Sequence, residues 1–170
     1  MVSDTSYVEC LVASKASPVV KILSYLSLVL AVIFFLSSIL TVLQIAGLIL
    51  CVAFGAVYYF LSMNANIEFE YQYCEKEITV DKILNKARRK NVGKYDVEKI
   101  EALAPTRSHH LDEFKNKTLK TVDYSAREAG RQPDPTYTFI YDGKERVIFE
   151  PSAEFVTAVR NVAPRRVFTD

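Results

Sequence analysis

From Ile22 to Met63 the chain runs for 42 residues without a charged side chain. No other feature limits the fold as much. The run is too long for a signal peptide, whose apolar stretch spans about 7–15 residues. It is also too long for a buried core helix, which seldom stays apolar beyond about 14 residues. A bilayer is the solvent that suits it. As one straight helix it would extend about 63 Å at about 1.5 Å per residue. That is roughly twice the hydrocarbon thickness of about 30 Å, more than tilt absorbs. Two spans fit, at about 22–41 and 45–63. The turn then falls at Thr41, Val42, Leu43 and Gln44, where Thr41 and Gln44 offer side chains to freed backbone groups.

The first span is nearly continuous in Leu, Val, Ile and Phe from Leu26 to Leu36. The second ends in Tyr58, Tyr59 and Phe60, the aromatic belt of a membrane interface. Gly47, Cys51 and Gly55 share one face of it, and Ser24, Ser27 and Ala31 share one face of the first. Small residues let helices approach closely. The first use of these stripes is packing within the hairpin; pairing with a second copy or another membrane protein is the alternative. No Lys or Arg lies between the spans. Lys15 and Lys21 precede them, and Lys76, Lys82, Lys86, Arg88, Arg89, Lys90 and Lys94 follow. The positive-inside rule therefore places both termini in the cytoplasm, in a cell membrane crossed twice. Three cysteines, Cys10, Cys51 and Cys74, at no metal-binding spacing agree with a reducing compartment.

Ahead of the hairpin, Tyr7, Val8, Cys10, Leu11 and Val12 suggest either a short interfacial helix started by Ser3 or Asp4 and broken at Ser17-Pro18, or a frayed terminus. The expected layout is a cytoplasmic segment over 1–21, the hairpin over 22–63 and a cytoplasmic domain over 64–170. The first 63 residues hold two bases and two acids out of 21 and 20, which leaves 19 and 18 in the domain. So balanced a charge argues against a nucleic-acid partner.

After a polar joint at Asn64-Ala65-Asn66, Ile67, Phe69, Tyr71 and Tyr73 alternate with Glu68, Glu70 and Gln72, the period of a half-buried strand. Cys74 to Glu77 reads as a turn, and Ile78 to Lys82 as its return strand. Val92 to Leu103 reads as another strand with a change of face near Lys99-Ile100, as at a bulge. Pro105 ends it. A short helix capped by Thr106 or Ser108 follows to Phe114, then a weaker strand over Lys117–Val122 and a loop from Arg127 to Pro135. Tyr137 to Tyr141 and Glu145 to Glu150 flank Asp142-Gly143, a strong hairpin signal because both turn positions must tolerate positive φ. Ser152 caps a last helix whose apolar stripe is Phe155, Val156, Val159 and Val162. Antiparallel strands followed by one amphipathic helix make an α+β domain in which the helix covers a curved sheet.

The strand pair Glu68-Phe69-Glu70-Tyr71-Gln72-Tyr73 and Ile78-Thr79-Val80-Asp81-Lys82-Ile83, the basic Lys86-Ala87-Arg88-Arg89-Lys90, and the ending Phe149-Glu150-Pro151-Ser152 with Pro164-Arg165-Arg166-Val167 resemble a family of small bacterial two-span membrane proteins with no assigned activity. Its soluble part resembles bacterial pleckstrin-homology-like (PH-like) domains. The resemblance implies a seven-stranded antiparallel sandwich or partly open barrel closed by a C-terminal helix; six strands are visible in the sequence. Phosphoinositide-binding members of that fold crowd bases into the first hairpin loop. Here that loop reads Cys74-Glu75-Lys76-Glu77, net acidic, so phosphoinositide binding is not carried over.

Chemistry-bearing patterns are few. Lys86, Arg88, Arg89 and Lys90, with Lys82 and Lys94, are candidates for contact with anionic headgroups. His109 and His110, adjacent on a helix, would diverge by about 100° and do not share a metal ion; they read as an exposed polar turn. Cys74 sits beside two acids, Glu75 and Glu77, that disfavour a thiolate. Tyr71, Tyr73, Tyr137, Phe139 and Tyr141 read as core and sheet face. No phosphate-binding glycine loop or nucleophile–base set is recognisable. The expectation is a membrane-anchored interaction or scaffold module, not an enzyme and without cofactor. The alternatives are an accessory subunit of a larger membrane complex and an anionic-lipid-binding domain.

Overall fold

The computed structural model describes residues 7–15, 18–40, 44–128 and 132–170. It divides into two compact units. One is Lys15–Ile67 with Leu84–Arg88; the other is the described part of Met1–Ser14 with Glu68–Ile83 and Arg89–Asp170.

The first unit is dominated by α1 (Pro18–Leu40) and α2 (Gln44–Ala65). Pro18 opens α1, where a missing N–H costs nothing. At 23 and 22 residues the helices are about 34 and 33 Å long. They pack antiparallel: Ser27 Oγ donates to Phe54 O at 2.8 Å, Phe34 stacks on Phe54 at 5.5 Å, and Gly47 lies against Ser38. A Cβ on Gly47 would stand 2.8 Å from that of Ser38, whereas one on Gly55 would meet nothing within 4 Å. The small-residue stripe of α1 is thus spent inside the hairpin, with Ser24, Ser27, Ala31 and Ser38 buried. Both helices are long and apolar enough to cross a membrane. α1 starts four residues earlier than expected, and the polar joint is absent: α2 continues to Ala65 and the next strand begins at Asn66. Asn64 Nδ2 bonds back to Phe60 O at 2.8 Å, so its polarity serves the last turn of the helix. Of the expected turn over residues 41–44, Gln44 is the first residue of α2; the rest, and the signals at Ser3, Asp4 and Ser17, lie outside the described residues.

The second unit holds two four-stranded sheets. In spatial order one is β1 (Tyr7–Lys15), β2 (Asn66–Cys74), β3 (Glu77–Leu84) and β4 (Arg88–Asp96), and the other is β5 (Ile100–Pro105), β7 (Tyr137–Tyr141), β8 (Glu145–Phe149) and β6 (Lys120–Asp123). β1 (Tyr7–Lys15) replaces the expected N-terminal helix. Its burial alternates, with Val8 buried, Cys10 and Val12 half-buried, and Tyr7, Glu9 and Leu11 exposed. A valine-rich stretch with that period is stabilised by a pleated neighbour and gains nothing from a helix. The neighbour is β2 (Asn66–Cys74), so the helical hairpin is inserted between adjacent strands of one sheet.

β3 (Glu77–Leu84) follows a turn in which Glu75 and Lys76 both have positive φ. β4 (Arg88–Asp96) follows another, at Asn85 and Lys86. Gly93 admits the ring of Tyr95, which comes within 2.6 Å of where a Cβ would sit. The expected single strand over Val92–Leu103 is two strands. A 3-10 turn, Val97–Lys99, capped by Asp96, sends the chain from β4 into β5 (Ile100–Pro105) of the other sheet. The change of face in the sequence marks that corner, and the β5–β7 register also shifts between Ile100 and Ala102, as at a bulge. The expected helix after Pro105 is a 3-10 turn, His109–Phe114, with Ser108 Oγ accepting from His110 N–H. β6 (Lys120–Asp123) then pairs parallel to β8 (Glu145–Phe149), from Lys120 opposite Glu145 to Asp123 opposite Ile148. The sheet is therefore mixed and not wholly antiparallel. β7 (Tyr137–Tyr141) pairs antiparallel with both β5 and β8. Eight strands are present among the described residues, against six read from the sequence.

Edge-to-face aromatic pairs fill the interior: Phe69 with Tyr124, Tyr71 with Phe149, Tyr95 with Phe139, and Tyr73 with Phe155. Each such pair contributes about 0.5–1.5 kcal/mol beyond its buried area. α3 (Ala153–Val162) starts at Ser152, whose Oγ accepts from Phe155 N–H, and buries Phe155, Val156, Ala158 and Val159. Both faces of β7 are covered, since Phe139 and Ile140 are each fully buried.

Candidate functional site

The four basic residues singled out by sequence fall within residues 86–90 but are divided between the units. Lys86 and Arg88 belong to the helical unit, Arg89 and Lys90 to the sheet unit. The turn bearing Lys86 is anchored. Asn85 N–H donates to Asn66 O at 2.7 Å, and the two asparagine side chains meet at 3.4 Å. Asn66 is the residue after α2. The basic turn is thereby held at the exit of the apolar helix. Antiparallel packing brings the start of α1 to that same end, and with it Lys21 and Tyr25. Tyr58, Tyr59 and Phe60 lie one to two turns before the end of α2. Lys21, Tyr25, Tyr59 and Phe60 are exposed. A ring of aromatic residues with bases beyond it is what an interface between hydrocarbon and headgroups favours.

Arg89 pairs within the sheet unit. Its Nη2 lies 2.6 Å from Glu70 Oε2, with the Glu70 side chain 2% exposed. The angle completes no hydrogen bond, and Oε2 has none. Gln72 Nε2 donates to the other oxygen at 2.9 Å. Across the strand pair Glu9, itself accepting from Tyr7 Oη at 2.8 Å, faces Glu70, and each carboxyl shifts the other. Burial first, then Glu9, raises the Glu70 carboxyl above its ordinary value. The hydrogen bonds from Glu70 and Tyr7 lower Glu9. Strict alternation assigned Glu70 to a solvated face. Its burial was not legible, because the side chains that cover it come from β1, read as a helix, and from β4.

A second polar group threads the interior. Tyr124 Oη donates to Val92 O at 2.9 Å, so in its 3.2 Å contact with Tyr95 Oη it is the acceptor. Tyr71 Oη donates to Tyr124 O at 2.6 Å. Desolvation drives the Tyr71 and Tyr95 hydroxyls far above the usual phenol range, so they are fixed donors that stitch β2, β4 and the segment after β6. Tyr71, Tyr73 and Phe139 are buried as expected, and Tyr137 and Tyr141 are half-buried. A cleft of about 560 Å³ between β4 and β6 carries Lys94, Lys120 and Lys144. Each of these is paired with an acid, Glu77, Glu145 and Asp142 respectively, so the cleft is no concentrated anion trap.

Among the described residues no group of three or more His, Cys, Asp or Glu side chains could hold a metal ion. His109 and His110 stack with ring centres 4.0 Å apart, and His110 lies flat on Phe168 at 3.7 Å. His109 is exposed, as expected, whereas His110 is partly covered by Phe168. Cys74 is exposed.

Two apolar helices joined to a domain of two sheets and a C-terminal helix define a chain of the PH-like class. Residues 4–169 match the family model described as Bacterial PH-like domain (DUF6106), and the chain belongs to that family. No curated protein and no solved structure matched it.

Proposed function

We propose that this chain is a membrane-anchored interaction module whose hairpin spans the bilayer, with both chain ends on the cytoplasmic side, and whose basic turn meets anionic headgroups. The helices have the length of a hydrocarbon core. Only 17% and 6% of their most apolar stretches are buried, which is not how a soluble core helix packs. The bases at one end, Lys21, Lys86 and Arg88, set the orientation. The shared aromatic interior of the two sheets supports a PH-like sandwich closed by α3. In that layout β1 joins residues 64–170 as part of the domain, and the first connection of the sheet is the membrane hairpin. The Cys74–Glu77 loop is then the second connection, so its acidity does not bear on what the first connection binds.

The observation that carries the lipid reading is the pair of Asn66–Asn85 hydrogen bonds, which keeps Lys86 and Arg88 beside the helix exit. Each base held near an anionic surface adds about 1 kcal/mol. Arg89 is engaged with Glu70, so the reading rests on Lys86 and Arg88, the bases of the helical unit. The test uses the full chain, because a 64–170 fragment lacks β1. It is reconstituted in nanodiscs with rising fractions of anionic lipid, and lipid retained after extraction is counted by native mass spectrometry. Lys86→Ser with Arg88→Ser should cut retained anionic lipid severalfold and leave zwitterionic lipid unchanged. Retention that ignores lipid charge would overturn the reading. The module binds and positions; it does not transform a substrate.

A further inference from the structure

The outer edge of β5 is closed by a piece of chain outside the sheet strands. On one side β5 pairs with β7 along Ile100–Pro105. On the other, Val167 forms a single parallel bridge with Leu103. Two backbone bonds hold it: Leu103 N–H donates to Arg166 O and Phe168 N–H donates to Leu103 O, each at 2.8 Å. That is one repeat of strand addition, and the side chains alternate as a strand's do. Val167 is 2% exposed. Phe168 takes the other face, against a cluster of Ala102, Ala104, Leu111, Phe114 and Ile140. The His110 ring covers it, nearly parallel at 12°. Arg166 donates through Nη1 to the carbonyls of Glu98 and Ile100 at the β4–β5 corner. Past Phe168 the chain is exposed, with Asp170 3.5 Å from His110 Nε2.

This is the anatomy of a strand-recognition groove: main-chain bonds from a sheet edge, and separate pockets for alternate side chains. We propose that the β5 edge and the His109–Phe114 turn form a docking groove for an extended protein segment, and that Arg166–Asp170 fills it in cis as a displaceable strand. The seated segment states the chemistry of the partner: a base, an aliphatic residue, an aromatic residue, a polar residue and an acid. The base satisfies the corner carbonyls, the aliphatic side chain closes the interior, and the aromatic ring slides under His110. Two backbone bonds hold the occupant, against the full ladder that holds the other side of β5, so the edge opens without unpairing the sheet. The inference is independent of the lipid reading.

The test uses the full chain in nanodiscs and a fluorescein-labelled peptide with the sequence of residues 164–170. Val167→Ser with Phe168→Ala weakens the internal strand. This variant should bind the peptide at least tenfold more tightly than the unaltered chain by anisotropy. A peptide with Ala in place of Phe168 should bind neither. Adding His110→Ala to the variant, which leaves the peptide intact, should weaken binding again. Hydrogen exchange supplies the structural control: in the unaltered chain the Leu103 amide should exchange at least tenfold faster than the β5–β7 ladder. A variant that keeps β5–β7 protection and binds no peptide overturns the proposal. So does a variant that loses that protection, since the segment is then a permanent part of the core.

Discussion

Arg89 shows how one residue can carry two readings that local sequence does not separate. In the string Lys86-Ala87-Arg88-Arg89-Lys90 it looks like its neighbours, yet it is the cation that faces a buried carboxylate. Arg89→Ala should lower the unfolding midpoint of the sheet unit, by about 1 kcal/mol for a lost charge-assisted contact, while Lys90→Ala leaves it unchanged; urea titration read by near-ultraviolet circular dichroism separates the two. Glu70 adds a pH dependence. Its carboxyl is raised above the ordinary 4.5, so between that value and its native one the folded state keeps a proton that the unfolded state has released. Stability from this group therefore falls as pH rises above about 4.5 and levels off past the native value. Glu9, lowered, works in the opposite sense at lower pH, losing its contribution as pH falls. Glu70→Gln, a fixed analogue of the protonated form, should flatten the decline between pH 4.5 and 7; equal slopes in the two proteins would refute this assignment. On α2, Gly47→Leu forces the hairpin apart at Ser38, at about 1–3 kcal/mol for overpacking. Gly55→Ala, which meets open space, should leave the interhelical distance measured by paired spin labels as it is.

At the scale of elements, the turns are where sequence and conformation agree least. Asp142-Gly143 has the composition its positive φ values demand. Glu75-Lys76 has the same backbone with φ of 46° and 69° and no residue suited to it. Each L residue there costs about 1–2 kcal/mol relative to the right-handed regions. Glu75→Gly should therefore raise the urea midpoint, by roughly 0.5–1 kcal/mol after the extra chain entropy of glycine is subtracted. A fall would mean that Glu75 makes a contact worth more than the strain. The alternating Ile67 to Tyr73 run, the Asp142-Gly143 hairpin and the Ser152 cap were all legible, because each is set by neighbours in sequence. The split of Val92–Leu103 into β4 and β5 was visible only as a change of face, since a bulge and a corner leave the same local trace.

For the whole molecule, the decisive fact is that the apolar hairpin interrupts a sheet. β1 and β2 are adjacent in space but separated by Pro18–Ala65. Removing residues 1–15 should destabilise the entire sheet unit and expose the partners of Val8, Cys10 and Glu70, a global loss of hydrogen-exchange protection and not a local one. If β2 to β4 keep their protection, β1 is an ornament and not a member of the sheet. The arrangement also gives the proposed membrane anchor two covalent links to one sheet, one at each end of the hairpin.

By itself the sequence determined whatever depends on length, period and neighbouring residues. The 42-residue uncharged run implies two helices because the rise of a helix and the thickness of a bilayer leave no other division, and the C-terminal helix follows from its cap and stripe. Tertiary structure decided which strands share a sheet, that β6 runs parallel to β8, that Tyr7–Lys15 is a strand, and that Glu70 is buried. The physical reason is common to all four. A strand is completed by hydrogen bonds and side chains supplied by another segment. For Glu70 those come from Glu9 and Arg89, neither of them near it in the chain, and no local pattern can encode a partner that only folding brings alongside.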